Sequence, residues 1–168
     1  MEKNSLKSFN IIDQSGNALV SLKIDQDLDP SLFSGFLSAI FSFGSKSMKE
    51  QMSKLSLESD NLRVESFVQK FEGKNYIAVG LVNKNIPKSL FRLFAESILE
   101  DFFKEYKEDI ISWNGNISIF DEFKDKIKQR VDRYFSENSE ALDDKIDAVF
   151  DDIMQGDLSS LDDLVKKE

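Results

Sequence analysis

Residues 55–82, LSLESDNLRVESFVQKFEGKNYIAVGLV, hold three runs of strand-forming residues separated by two turns. The runs are Leu55-Ser56-Leu57-Glu58, Leu62 to Phe71 and Tyr76 to Val82; the turn formers between them are Ser59-Asp60-Asn61 and Glu72-Gly73-Lys74-Asn75. Connections this short admit only antiparallel hairpins, because a parallel crossover needs a dozen or more residues. The middle run alternates Leu62, Val64, Ser66 and Val68 with Arg63, Glu65, Phe67 and Gln69, which predicts one better-covered face. The third run is apolar almost throughout and is expected to be central or covered on both faces.

On the N-terminal side, Leu6, Phe9, Ile11 and Ile12 lead into the turn-rich Asp13-Gln14-Ser15-Gly16-Asn17, after which Ala18, Val20, Leu22 and Ile24 alternate. This reads as another hairpin. Asp29-Pro30 then supplies an N-cap and a first-turn proline for a helix. At about 100° per residue, Leu32, Phe33, Phe36, Leu37, Ala39, Ile40, Phe41 and Phe43 fill an arc of roughly 200°. Ser31, Ser34, Ser38, Ser42 and Ser45 fall opposite, with Gly35 at the edge. A helix that faces only one sheet usually turns Lys and Glu to water. The small, uncharged stripe is therefore weighed as a place where another element approaches closely, against the plain alternative of a solvated serine face.

On the C-terminal side, Pro87 opens a second helix with Leu90, Phe91, Phe94, Ile98, Leu99, Phe102, Phe103 and Tyr106 at helical spacing. Trp113-Asn114-Gly115-Asn116 is a turn, and Ile117, Phe120, Phe123, Ile127, Val131, Tyr134 and Phe135 trace a third helix over about residues 118–135. The order is β-β-α-β-β-β-α-α, an α+β chain with a five-stranded antiparallel sheet, one helix on one face and two on the other.

Composition narrows the chemistry. The 168 residues include no His and no Cys, which removes disulfides, thiolate zinc sites, Ser-His-Asp and Cys-His nucleophiles and imidazole acid-base work. A net charge of -9 and a pI near 4.7 argue against nucleic acid as a partner. The charge is uneven: residues 1–136 carry 19 Lys and Arg against 20 Asp and Glu, whereas residues 137–168 carry 3 against 11. The expected division is a near-neutral body, 1–136, and an acidic tail, 137–168. The tail repeats Leu142, Ile146, Val149, Phe150 and Ile153 at intervals of three and four, breaks at Gly156 and restarts at Leu158. It reads as an acidic amphipathic helical segment that docks on the body or on a partner. The longest uncharged run, Pro30 to Ser45, has 16 residues. That is short of the roughly 20 a membrane-crossing helix needs, so direct membrane insertion is not expected and a cytoplasmic location is the default.

The element order, together with Leu37-Ser38-Ala39-Ile40 before Phe43-Gly44, Phe103-Lys104-Glu105-Tyr106, Trp113-Asn114-Gly115-Asn116, Phe120 and Phe123, resembles the longin domain family, in particular archaeal-type longin-like and roadblock-like sequences. The resemblance covers roughly residues 5–135. It implies a non-catalytic module of membrane-traffic machinery that pairs with another longin or roadblock domain, as in a homodimer, or binds a small GTPase, or folds back on its own chain. It implies no catalytic residues and no cofactor, and a location peripheral to membranes through a partner. The tail, short and without Cys, departs from the long coiled-coil motif and anchor of longin-type SNARE proteins. The partner-binding candidates are Ser34, Gly35, Ser38 and Ser42 on the first helix and Leu142, Ile146, Val149, Phe150 and Ile153 on the tail, two surfaces expected to meet in cis.

Three sharper motifs fall short of the sites they suggest. Asp25-Gln26-Asp27-Leu28-Asp29 opens like a calcium loop, but Pro30 stands where Gly is needed and Phe36 where a bidentate Glu is needed. Gly44-Ser45-Lys46-Ser47 lacks the adjacent Gly-Lys and the upstream glycine of a phosphate loop. Asp143-Asp144, Asp151-Asp152 and Asp162-Asp163 pair carboxylates, yet on an amphipathic helix they form the solvated face. No metal is expected. The competing function is a small-ligand sensor domain with an antiparallel-sheet pocket, which requires a sizeable cavity between sheet and helices.

Overall fold

The computed structural model describes residues 6–24, 35–37, 39–40, 42 and 57–135. The first hairpin joins β1 (Leu6–Asp13) to β2 (Ala18–Lys23). Its turn is built by Asp13, whose carboxylate accepts the Ser15 and Asn17 N–H groups, each at 2.9 Å, while Gly16 takes φ 89°. Between Ile11 and Ile12 the register slips by one, so Leu19 is the extra residue and joins Val20 in the same core cluster.

Residues 35–37, 39–40 and 42 are helical and are called α1. The meander follows as β3 (Leu57–Glu58), β4 (Leu62–Phe71) and β5 (Lys74–Asn83). β4 and β5 pair along their whole length across the two-residue turn Glu72-Gly73. Both turn residues have positive φ, 47° and 78°, the left-handed geometry whose twist matches antiparallel strands. The sheet order is β2-β1-β5-β4-β3, all neighbours antiparallel, so β5 is central as its apolar sequence predicts.

α2 (Lys88–Ile111) starts after Pro87 and loses helical geometry at Tyr106, where φ is -111° and ψ is 23°. Ser112 ends it by donating both its N–H and its hydroxyl to the Glu108 carbonyl. The third helix, expected to be continuous, is split into a 3-10 turn over Ile117–Phe120 and α3 (Phe123–Phe135). The reason is local: Asn116 caps the turn by accepting the Ser118 N–H at 3.1 Å, and Trp113 Nε1 donates to the Asn116 carbonyl at 3.0 Å. The apolar spacing was read correctly at Phe120 but not at Ile117, which is 51% exposed.

The sheet separates two cores. On one face Phe9, Ile11, Leu22, Tyr76, Ala78 and Val82 meet the buried stripes of α2 and α3. Phe9 packs on Phe94, and Phe102 packs on Phe120 and Phe123 in a network of tilted and edge-on rings. α2 sits tightly on β5 because Gly80 has no side chain; a Cβ there would run into the Phe91 ring. On the other face Ile12, Val64, Ile77 and Val79 cover Leu37 of α1, with Ile40 half-buried beside them. The layout of a helix, a five-stranded sheet and a helical pair is the one that the longin resemblance implies. The expected tail, residues 137–168, lies outside the described residues, as do the start of the first helix and strand residues 55–56.

Candidate interaction surface

α1 presents two sides of different character. Leu37 is fully buried against the sheet. Phe36, one residue earlier, is 52% exposed, and Gly35 and Ala39 are exposed with it. The sequence arc that placed Phe36 and Ala39 in the core is corrected here: the sheet accepts a narrower stripe, centred on Leu37 and Ile40, than the spread of apolar residues suggests. Among the described residues nothing lies within 4 Å of where a Cβ at Gly35 would stand. A half-exposed aromatic side chain beside two of the smallest residues is a shape that a second protein can close over.

Of the sequence candidates, Gly35 is exposed and Ser42 half-buried on this helix. Ser34, Ser38, Leu142, Ile146, Val149, Phe150 and Ile153 lie outside the described residues, and so do both the calcium-like and phosphate-loop-like segments and the three Asp pairs. Phe36 was missed as a surface residue because periodicity counts it as apolar without saying which part of a wide arc the sheet covers.

The opposite face carries a charged groove of about 720 Å³ between α2 and α3, lined by Asp101, Lys104, Glu105, Lys126, Gln129, Arg130 and Arg133. Arg130 pairs with Asp101 and Lys126 with Glu105, and Arg130 also donates to the Ser97 carbonyl at 3.3 Å. A second, smaller cavity of about 100 Å³ lies at the end of the sheet among Asp13, Lys74, Tyr76, Ile110, Trp113 and Phe120. Ligand pockets run from roughly 300 Å³ upward, so this one does not suit the sensor reading. Burial, and secondarily the Asp13 carboxylate, raises the Tyr76 phenol above its ordinary 10.0. Tyr106 is raised by burial first, then by the carboxylates of Glu105 and Glu122 and more weakly Asp109.

β4 holds a buried ion pair that sequence alternation passed over. Arg63 and Glu65 are 5% and 4% exposed and pair directly with each other on the side of the sheet that faces α2. Arg63 also donates to the carbonyls of Lys84 at 3.1 Å and Ile86 at 2.6 Å, so its guanidinium ties β4 to the loop that leads into α2. Among the described residues no cluster of three metal-ligating side chains forms, and no helix is long and apolar enough to cross a membrane.

Comparison with solved structures finds folds similar to this one at low sequence identity. Myxococcus xanthus MglB is 15% identical, with 61% of this chain and 80% of that chain covered at a TM-score of 0.44. A Roadblock/LC7 domain from Streptomyces avermitilis is 14% identical, with 62% of this chain and 87% of that chain covered at 0.45. No protein-family model and no characterised protein matches the sequence.

Proposed function

We propose that this chain is a non-catalytic protein-interaction module whose partner is a small GTPase or a second longin or roadblock domain, a second copy of the chain included. The observation that carries the reading is Phe36, half-exposed on α1 while Leu37 beside it anchors the same helix to the sheet. A rigid anchor with an exposed aromatic and small neighbours is how an interface places a residue that contributes most of its binding energy. The longin resemblance of the sequence supports the partner classes, and with them a place in membrane traffic, peripheral to a membrane through the partner. Exposed Gly35, with Ser42 and the sequence candidates Ser34 and Ser38, is the small-residue set proposed to let the partner's backbone approach. The tail stripe Leu142, Ile146, Val149, Phe150 and Ile153 is proposed as a second, separate apolar surface for a partner.

The test compares the full chain with its Phe36→Lys variant. Sedimentation over a concentration series reads self-association, and crosslinking in the source cells followed by titration of the purified neighbour reads a different partner. Loss of a central aromatic anchor costs about 2 kcal/mol or more, so affinity is expected to fall about thirtyfold or further with unchanged melting temperature. Equal association of both proteins in both measurements rejects the reading.

A further inference from the structure

α3 is a basic helix in an acidic chain. Its 13 residues carry Lys124, Lys126, Lys128, Arg130 and Arg133 against Asp125 and Asp132, in a protein whose net charge is -9. Four of the groove residues between α2 and α3 are cationic and two are anionic. Asp101 and Glu105 are already engaged, by Arg130 and Lys126. Lys104 and Arg133, both exposed, are left without an ion-pair partner among the described residues.

We propose that residues 137–168 of the same chain seat in this groove, with their carboxylates against Lys104, Arg133 and the outer side of Lys126. Three observations favour this occupant over an external polyanion. The segment begins two residues after α3 ends at Phe135, and it carries 11 Asp and Glu against 3 Lys. α2 and α3 run antiparallel, with Phe94 beside Phe135 and Phe102 beside Phe123, so a chain that turns back after Phe135 travels along the groove. The span from Arg133 to Lys126 is about 10 Å of helix, which a short tether bridges, and tethering holds the local concentration near the millimolar range. An external polyanion would instead have to approach a molecule of like net charge. Seating by the carboxylates leaves the stripe through Leu142 and Phe150 for a partner, a point that rests on the proposed interaction reading.

Carbodiimide coupling, which joins amines to carboxylates without a spacer, tests the seat in the full-length protein. Isotope-mixed chains separate bonds within one molecule from bonds between two. The expected products join Lys104 and Lys126 to the carboxylates of residues 137–152 within one chain. In the Lys104→Glu, Arg133→Glu variant the Lys126 yield is expected to drop about tenfold, as it should when 1 M salt shortens the screening length to about 3 Å. An independent Asp143→Asn, Asp144→Asn, Asp147→Asn variant is expected to lower the coupling of Lys104 and Lys126 to the remaining tail carboxylates. Yields indifferent to charge reversal and salt, products mainly between chains, or coupling of the tail instead to Lys46, Lys49 and Lys54, which follow α1 in the sequence, would each overturn the seat. The interaction reading is tested separately, by the Phe36→Lys variant.

Discussion

Gly80 lies where the central strand meets α2, opposite Phe9 in the β1 register and under the Phe91 ring. Adding one methyl there forces the ring or the helix to move, and overpacking of this kind costs about 1–3 kcal/mol. Gly80→Ala is therefore expected to lower the urea midpoint by that equivalent, without a change of slope. Tyr76 and Tyr106 make a prediction in pH. Both phenols are raised above 10.0 in the folded protein, chiefly by burial, so the folded state keeps protons that the unfolded chain has released. Their contribution to stability is complete below pH 10.0 and is lost as pH climbs through the folded values. In thermal melts across the alkaline range, the Tyr76→Phe, Tyr106→Phe double variant is expected to lose melting temperature more gradually than the parent. Parallel curves would contradict the assignment.

At the scale of elements, the buried pair on β4 fixes how the sheet meets α2. Arg63→Met leaves Glu65 charged and unpartnered in a position 4% exposed, at a cost of about 3–5 kcal/mol. Arg63→Met with Glu65→Leu removes both charges and is expected to recover most of that loss in a denaturation cycle. The pair also marks a limit of pattern reading. Alternation places Arg63 and Glu65 on one face of β4 but is silent on which face the helices cover, and charged residues suggest the solvent side. The buried side chains of α2 were legible because a 24-residue helix samples its apolar spacing many times over. The third helix was less so: Ile117 and Phe120 keep helical spacing, yet the Asn116 cap and the Trp113 indole bond tighten that turn into 3-10 geometry. The Glu72-Gly73 turn was visible in composition, whereas the slip at Leu19 left no sequence signal, since a bulge changes register without changing polarity.

For the molecule as a whole, the two faces of one sheet are covered differently. The aromatic side, packed through Phe9, Phe94, Phe102 and Phe123, holds the fold, and its outer rim carries the charged groove. The α1 side carries a smaller apolar cluster around Leu37 and exposes Phe36 above it. The two hairpin units were legible in residues 55–82 and the first hairpin, because short turns leave antiparallel pairing as the sole option, whereas no short turn dictates the β1–β5 pair that joins them into one sheet. The surface proposed for a partner was legible only in part: the small residues of the first helix drew attention to that helix, while the exposure of Phe36 depended on how deeply α1 sinks onto the sheet. Amide hydrogen exchange of the full chain, free and saturated with its crosslink-identified partner, tests this most directly. The account predicts that protection gained on binding centres on residues 35–42 around Phe36. Protection confined to β2, α2 or the end of the sheet near Trp113, with those α1 amides unchanged, would contradict it.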